Sequence, residues 1–539
     1  MTTIEEQPTN TREVDWLDQL LGQPGALWLA GAKLREWVAL VAMVVAADLL
    51  IFRGQGYLGL AAFLGIALVL LVFGARFRHF RVSLVLQAVL ILLLGFRLAW
   101  QGSPLQVACG FALVTAFATS LSGLPPHLVT VFLTAAQCSL AGAQFISGYL
   151  LGIRGTRPAI DGMSLLKATL PIIVVVAFAT IFIMANPDAV TAVYKQIVQA
   201  FDQLSRFVLQ LDLSVPEVMF WAMTIWITVG LFRPLSMLKY LRLEFIDIGS
   251  AKPAESPYYT AFRNTLWAVI VLFAAYLAVE FSTLWFREFP KDFYYAGYAH
   301  QGAAWLTVAL ALATAVLSAV FSRATQLDPR AKSLKRLAYV WSFENLLLSI
   351  AVYNRLFIYV GYNGMTYWRI VGIFGISLVV AGFALVVWKI VVDKSFLWLV
   401  HRQLWALSFV VYLFAITPVD SIAVNYNVRR ILRGDVAACM QIGVQALDTE
   451  SKTSLIPLLG CQDQKIRDGV TAILADEMQR LNLRLKANKE LGWTSLQGAD
   501  LAVAQTLDRR HPELEPFLKD EAAKRFAIDR FYEYAYQWY

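Results

Sequence analysis

The residues best suited to chemistry in this chain crowd between positions 280 and 369. Glu280 is followed by Arg287, then by Tyr294, Tyr295, Tyr298, His300 and Gln301, and further on by Tyr353, Asn354, Arg355, Tyr359, Tyr362, Asn363, Thr366 and Arg369. A planar guanidinium holds a carboxylate or phosphate through two parallel hydrogen bonds. A tyrosine ring tolerates the border between bilayer and water and still offers a hydroxyl. Glu280, Arg287, Tyr295, Tyr298, His300, Arg355, Tyr359 and Arg369, joined by Asn427 and Arg429 further along the chain, therefore read as a pocket for an anionic or sugar-like ligand. A lipid headgroup, a phosphate or a sugar would suit it. The same residues also suit an interfacial aromatic belt, arginines that reach for lipid phosphate, and a helix-packing ion pair from Glu280 to Arg287, Arg355 or Arg369. Glu344 is the other acid inside an apolar run. It reads either as a packing residue or as a proton-coupling carboxylate, and its neighbour Asn345 as an interhelical hydrogen bond.

Stepping from these side chains to what must carry them leads to membrane helices. Of 539 residues, 58% are apolar and 16% charged, against roughly 45–50% and about 25% for soluble domains. Mean hydropathy is +0.58. Apolar runs at about 37–52, 56–74, 82–100, 104–122, 127–151, 168–186, 216–233, 263–286, 301–322, 338–360, 367–391 and 397–417 approach the roughly 20 residues that cross a bilayer. The expected fold is all-α. A polar leader (1–36), with Trp16, Leu17, Leu20 and Leu21 at the spacing of an interfacial helix, precedes a polytopic bundle of about twelve transmembrane helices (37–418). A small soluble all-helical domain (419–539) follows. The leader is acidic and lacks the apolar core of a cleavable signal peptide.

Basic loops orient the bundle. Arg323, Arg330, Lys332, Lys335 and Arg336 form one; Lys239, Arg242 and Lys252 lie in another, two spans earlier, so both belong on the cytoplasmic side. Three spans later the tail is then expected outside, on the same face as the ends of the spans that carry Glu280, Arg355 and Arg369. The first half conflicts with strict alternation: Arg76, Arg78 and Arg81 and then Arg154, Arg157 and Lys167 all favour the cytoplasm. One segment between them, 104–122 or 127–151, is therefore expected to be re-entrant. The tail holds near-equal numbers of acidic and basic residues, so the net charge of +8 resides in the membrane part, and no basic stripe points to nucleic acid.

Cys439 and Cys461, in a tail placed outside, could join two helices as a disulfide. No Cys/His spacing indicates a metal, no cofactor is expected, and G-x-S-x-G, Walker, H-E-x-x-H and Rossmann motifs are missing, so no catalytic residue is assigned.

At Tyr295-Ala296-Gly297-Tyr298-Ala299-His300-Gln301-Gly302, at Tyr353-Asn354-Arg355 through Tyr359, at Tyr362-Asn363-Gly364-Met365-Thr366 with Arg369, and at Asn425-Tyr426-Asn427, the chain resembles a bacterial family of polytopic inner-membrane proteins catalogued as a domain of unknown function. The resemblance covers about 265–459, with His300 where the family pattern usually has Arg. It implies a multi-pass fold in the bacterial inner membrane and no activity. Three functions fit: a permease or lipid and envelope-precursor handling protein; a sensor or assembly factor that binds a ligand, or a protein partner through its tail; and a membrane-embedded envelope enzyme. Membrane lipids are the expected partners in each.

Overall fold

The computed structural model describes residues 34–75, 82–123, most of 126–138, isolated positions near 195, and 214–232, 255–282, 295–321, 323–443 and 447–538; for 295–301, 323 and 324 the backbone alone is described. Among them every regular element is helical. Among the described residues, nine helices are long and apolar enough to cross a membrane. The chain is thus an all-α, multi-pass membrane protein; the runs at 168–186 and most of 127–151 fall outside the described residues.

Contacts divide the chain into two compact units, 1–242 with Leu491–Ser495, and 243–490 with 496–539. In the first, α1 (Leu34–Ala47) runs into a π-helical turn, Asp48–Phe52, and is followed by α2 (Tyr57–Gly74), α3 (Val82–Trp100), α4 (Pro104–Leu121) and α5 (Val215–Phe232). α2 packs on α1, α3 and α4, and α5 on α1. α4 starts cleanly. Ser103 Oγ accepts from the Gln106 N–H, the Gln106 side chain returns to the Ser103 N–H, and Pro104 takes a first-turn position where its missing N–H costs nothing. This segment is a continuous 18-residue helix with the length and hydropathy of a span.

The second unit is built on α8 (Ala331–Asn363), a helix of 33 residues. α6 (Tyr259–Glu280), α7 (Tyr295–Val320) and α9 (Tyr367–Val391) pack against it. Its buried positions Leu334, Ala338, Trp341, Asn345, Leu348, Val352 and Arg355 recur every three or four residues, the spacing that keeps one stripe on the neighbouring helices. The reverse faces are equally apolar: Val271 is 64% and Trp305 66% exposed. Soluble proteins do not leave such side chains in rows against water, and lipid is the solvent they require.

After α10 (Phe396–Ile416) come α11 (Val419–Leu432), short helical turns at Val436–Cys439, Met440–Gly443, Thr449–Lys452 and Thr453–Gly460, α12 (Gln464–Leu491), α13 (Gly498–Arg509), α14 (His511–Lys519) and α15 (Glu521–Tyr536). Their apolar stripes meet in one cluster that includes Val428, Leu455, Leu474, Leu507 and Phe531. Buried charges here are paired: Lys524, 2% exposed, lies 2.7 Å from Glu521, and Lys452 is bonded to Glu477.

Candidate functional site

Glu280 closes α6, and Arg355 sits eight residues from the end of α8. Arg355 Nε donates to Glu280 Oε1 at 2.7 Å and Nη2 to Oε2 at 2.5 Å. Tyr276, one turn before Glu280, donates its hydroxyl to Oε2 at 2.8 Å. The two charged side chains are 2% and 7% exposed. Two parallel bonds with a third donor on the carboxylate make the geometry in which a buried pair offsets its loss of hydration. Gly302 explains part of the Tyr-Ala-rich motif. A Cβ there would stand 2.0 Å from Arg355 Nη1, so glycine at that position lets α7 approach the guanidinium without displacing it.

One turn along α8 from Arg355, the Tyr359 ring lies 4.0 Å beneath the Arg369 guanidinium. Arg369 Nη1 donates to Asn363 O at 2.8 Å and to Gly364 O. Thr366 caps α9 by accepting from the Arg369 N–H. Asn427 faces the same turn from α11 and is 1% exposed. Its amide donates to Met365 O at 2.7 Å, and its oxygen accepts from the Met365 N–H at 2.8 Å. Gly364, with φ +78°, leaves the room this needs, since a Cβ would come 2.6 Å from Asn427 Oδ1. Arg430 donates to Val360 O at 2.9 Å while holding Asp435, and Gln441 donates to Asn363 O at 2.7 Å. The turn between α8 and α9 is thereby clasped by side chains of α9, α11 and the segment beyond it.

Of the residues expected to share a ligand, the structure joins Glu280 to Arg355, and Tyr359 to Arg369, with Asn427 on the same turn. Arg429 is exposed on α11 and takes no part in the clasp's hydrogen bonds. Arg287 lies outside the described residues, as do the side chains of Tyr295, Tyr298 and His300. The sequence did not single out Tyr276 or Gln441. Tyr276 was detectable as the residue one turn from Glu280, whereas Gln441 carries no local signal. Lys389 was also missed: it is 1% exposed and donates to Phe321 O, just past the end of α7, at 2.9 Å, where a cation meets the negative end of a helix.

Glu344 is in a different state. It is 9% exposed, three helical turns from Arg355 on the same side of α8. Its Oε2 has no hydrogen-bond partner among the described residues, and neither do Asn345 Oδ1 and Trp341 Nε1. Asn345, expected to bridge helices, makes no interhelical hydrogen bond among the described residues. Its amide donates to Trp341 O of its own helix at 2.8 Å. In the tail, Cys439 and Cys461 are free thiols in the common apolar cluster. Burial, with help from nearby Asp463, pushes the Cys439 thiol up to about 12, far from the thiolate that reacts. No group of three or more His, Cys, Asp or Glu that could hold a metal occurs among the described residues.

A family model matches residues 25–455, most of the chain, and its description is a domain of unknown function. No curated protein and no solved structure matches.

Proposed function

The chain belongs to the DUF4153 family, a domain of unknown function, and from its own residues we propose that it is a proton-coupled permease or lipid-precursor handling protein of the membrane, with α8 as its working helix. The observation that carries this reading is Glu344: a carboxyl less than a tenth exposed, in the middle of a spanning helix, with one oxygen unpartnered among the described residues. An ionisable side chain at such depth is retained for a proton, an ion or a substrate far more often than for packing. Asn345 Oδ1 and Trp341 Nε1 add an acceptor and a donor on the same stretch. The Glu280–Arg355 pair three turns away supports the reading as a latch, because its two partners belong to different helices and separate if α6 and α8 move apart.

Reconstituted in liposomes on a solid support, the full chain should give a charge displacement after a pH jump and after addition of glycerol 3-phosphate. Glu344→Gln should abolish the pH-driven component and leave the protein monodisperse. An equal displacement in wild type and Glu344→Gln removes the reading.

A second reading, a sensor or assembly factor, is favoured by the clasp. The end of α8 is bonded to Arg430 and Gln441, and the turn that follows it to Asn427, so a partner that shifts α11 would pull on the helix that carries Glu344 and Arg355.

A further inference from the structure

The first unit contains a cavity of about 380 Å³ alongside α1, walled by Trp37, Val41, Val44, Val45, Leu49 and Ile225. Its size falls in the range of roughly 300–1,000 Å³ typical of small-molecule sites, and its composition follows their pattern of apolar walls with a few polar groups at one place. Val41 and Leu49, on its wall, are 58% and 54% exposed, so it opens along an apolar helix face.

The polar end is constructed by a break in the helix. α1 passes into the π-helical turn Asp48–Phe52, closed by Arg53 N–H donating to Asp48 O at 2.8 Å. Asp48 Oδ1 accepts from Trp221 Nε1 at 2.9 Å. Arg53 Nε lies 2.9 Å from Asp48 Oδ2 and 3.1 Å from Glu217 Oε1, and Nη2 also meets Glu217. Two carboxylates share one guanidinium, which leaves one negative charge in surplus. The Arg53 side chain is 58% exposed, and a guanidinium has five N–H donors, so an approaching anion finds donors beside carboxylates already fixed in place.

We propose that this cavity holds one acyl chain of a phospholipid whose headgroup carries both a phosphate and a primary ammonium. The phosphate accepts from the Arg53 guanidinium. The ammonium donates to Asp48 and Glu217, which absorbs the surplus charge. A choline headgroup has no N–H to donate, and a glycerol headgroup adds its net negative charge to a site that already has one too many. The site is separate from Glu344 and does not depend on the reading given to it.

The test uses the full chain, purified in detergent and incubated with equal amounts of dioleoyl phosphatidylethanolamine, phosphatidylcholine and phosphatidylglycerol, with retained lipids counted by native mass spectrometry. One tightly held ethanolamine lipid is expected, favoured about tenfold over the other two, the ratio that one well-made charged hydrogen bond supplies. The double variant Asp48→Asn with Glu217→Gln should turn the preference toward the anionic glycerol lipid. Val44→Trp, which fills the cavity, should lose the retained lipid. Leu49→Trp narrows the rim at an exposed position and should do the same should Val44→Trp fail to fold. Equal retention of all three headgroups, or an undiminished ethanolamine lipid in a monodisperse cavity-filled variant, overturns the proposal.

Discussion

Glu280 and Glu344 are both acids in apolar helices and both less than a tenth exposed, yet the fold treats them in opposite ways. Around Glu280 it assembles Arg355 from a second helix, Tyr276 one turn below, and a glycine on a third helix to make room for the guanidinium. Around Glu344 it leaves a carboxylate oxygen, an amide oxygen and an indole N–H without partners among the described residues. Each such unmet group costs about 1–3 kcal/mol. The same helix α8 that satisfies one end of its polar stripe so thoroughly shows that the bundle is able to do so. What differs is satisfaction: the Glu280 end, where three helices meet, is fully hydrogen-bonded, and the Glu344 end is not.

The largest effects should separate the two ends. Arg355→Met or Glu280→Met alone strands one charge in the bundle and should cost about 3–5 kcal/mol, whereas both together should restore most of that loss. Glu344→Leu should instead raise stability by about 1 kcal/mol, since it removes an unmet polar group. Thermal unfolding in detergent, followed by tryptophan fluorescence, measures all four. A Glu344→Leu protein as unstable as the single pair variants would mean that Glu344 is a packing residue and would erase the contrast.

Next in size is the clasp. Asn427→Ala removes the two hydrogen bonds to Met365 and leaves that residue's N–H and C=O buried without their partner, a loss of about 2 kcal/mol. Hydrogen exchange over residues 363–367 should quicken in this variant while exchange around Glu280 stays slow. Equal quickening at both places would show that the clasp and the ion pair are one cooperative element instead of two.

How far these arrangements could be read from the chain follows from the range of the forces involved. The spans were legible because burying a helix in lipid needs about 20 apolar residues in a row, and hydropathy along the sequence measures that directly. The Glu280–Arg355 pair was foreseen as one alternative of several, since an acid at that depth requires a cation; that Arg355 and neither Arg287 nor Arg369 supplies it depends on which helices touch. Arg369 and Asn427 looked like ligand-binding side chains, and their hydrogen bonds go to backbone atoms of the turn from Asn363 to Met365. Backbone acceptors carry no sequence signature. The π-helical turn at Asp48–Phe52 was silent for the same reason, because its residues differ in no obvious way from an α-helical end.

The smallest effect tests whether an acid without a cation is confined to the membrane. Asp420, in the first turn of α11, is half-buried, and burial together with Asp448 raises its carboxyl from 3.8 to about 6. Asp448 is held in place because its Oδ1 accepts from the Ser451 N–H at 2.8 Å, so it cannot turn aside when both groups ionise. The sign follows from where the proton prefers to be. The folded state binds it more tightly than the unfolded state, so the charged form carries a penalty that is nil below about pH 4 and complete above about pH 6. Tail stability should therefore fall as pH rises through that window. With half the group in solvent the change should stay under about 1 kcal/mol. Asp420→Asn should flatten the dependence and gain most at pH 7, measured by denaturant unfolding of the full chain at a series of pH values. Parallel curves for wild type and variant across pH 4 to 6 would mean that Asp420 carries no such penalty, and the contrast drawn at Glu344 would not extend to the tail.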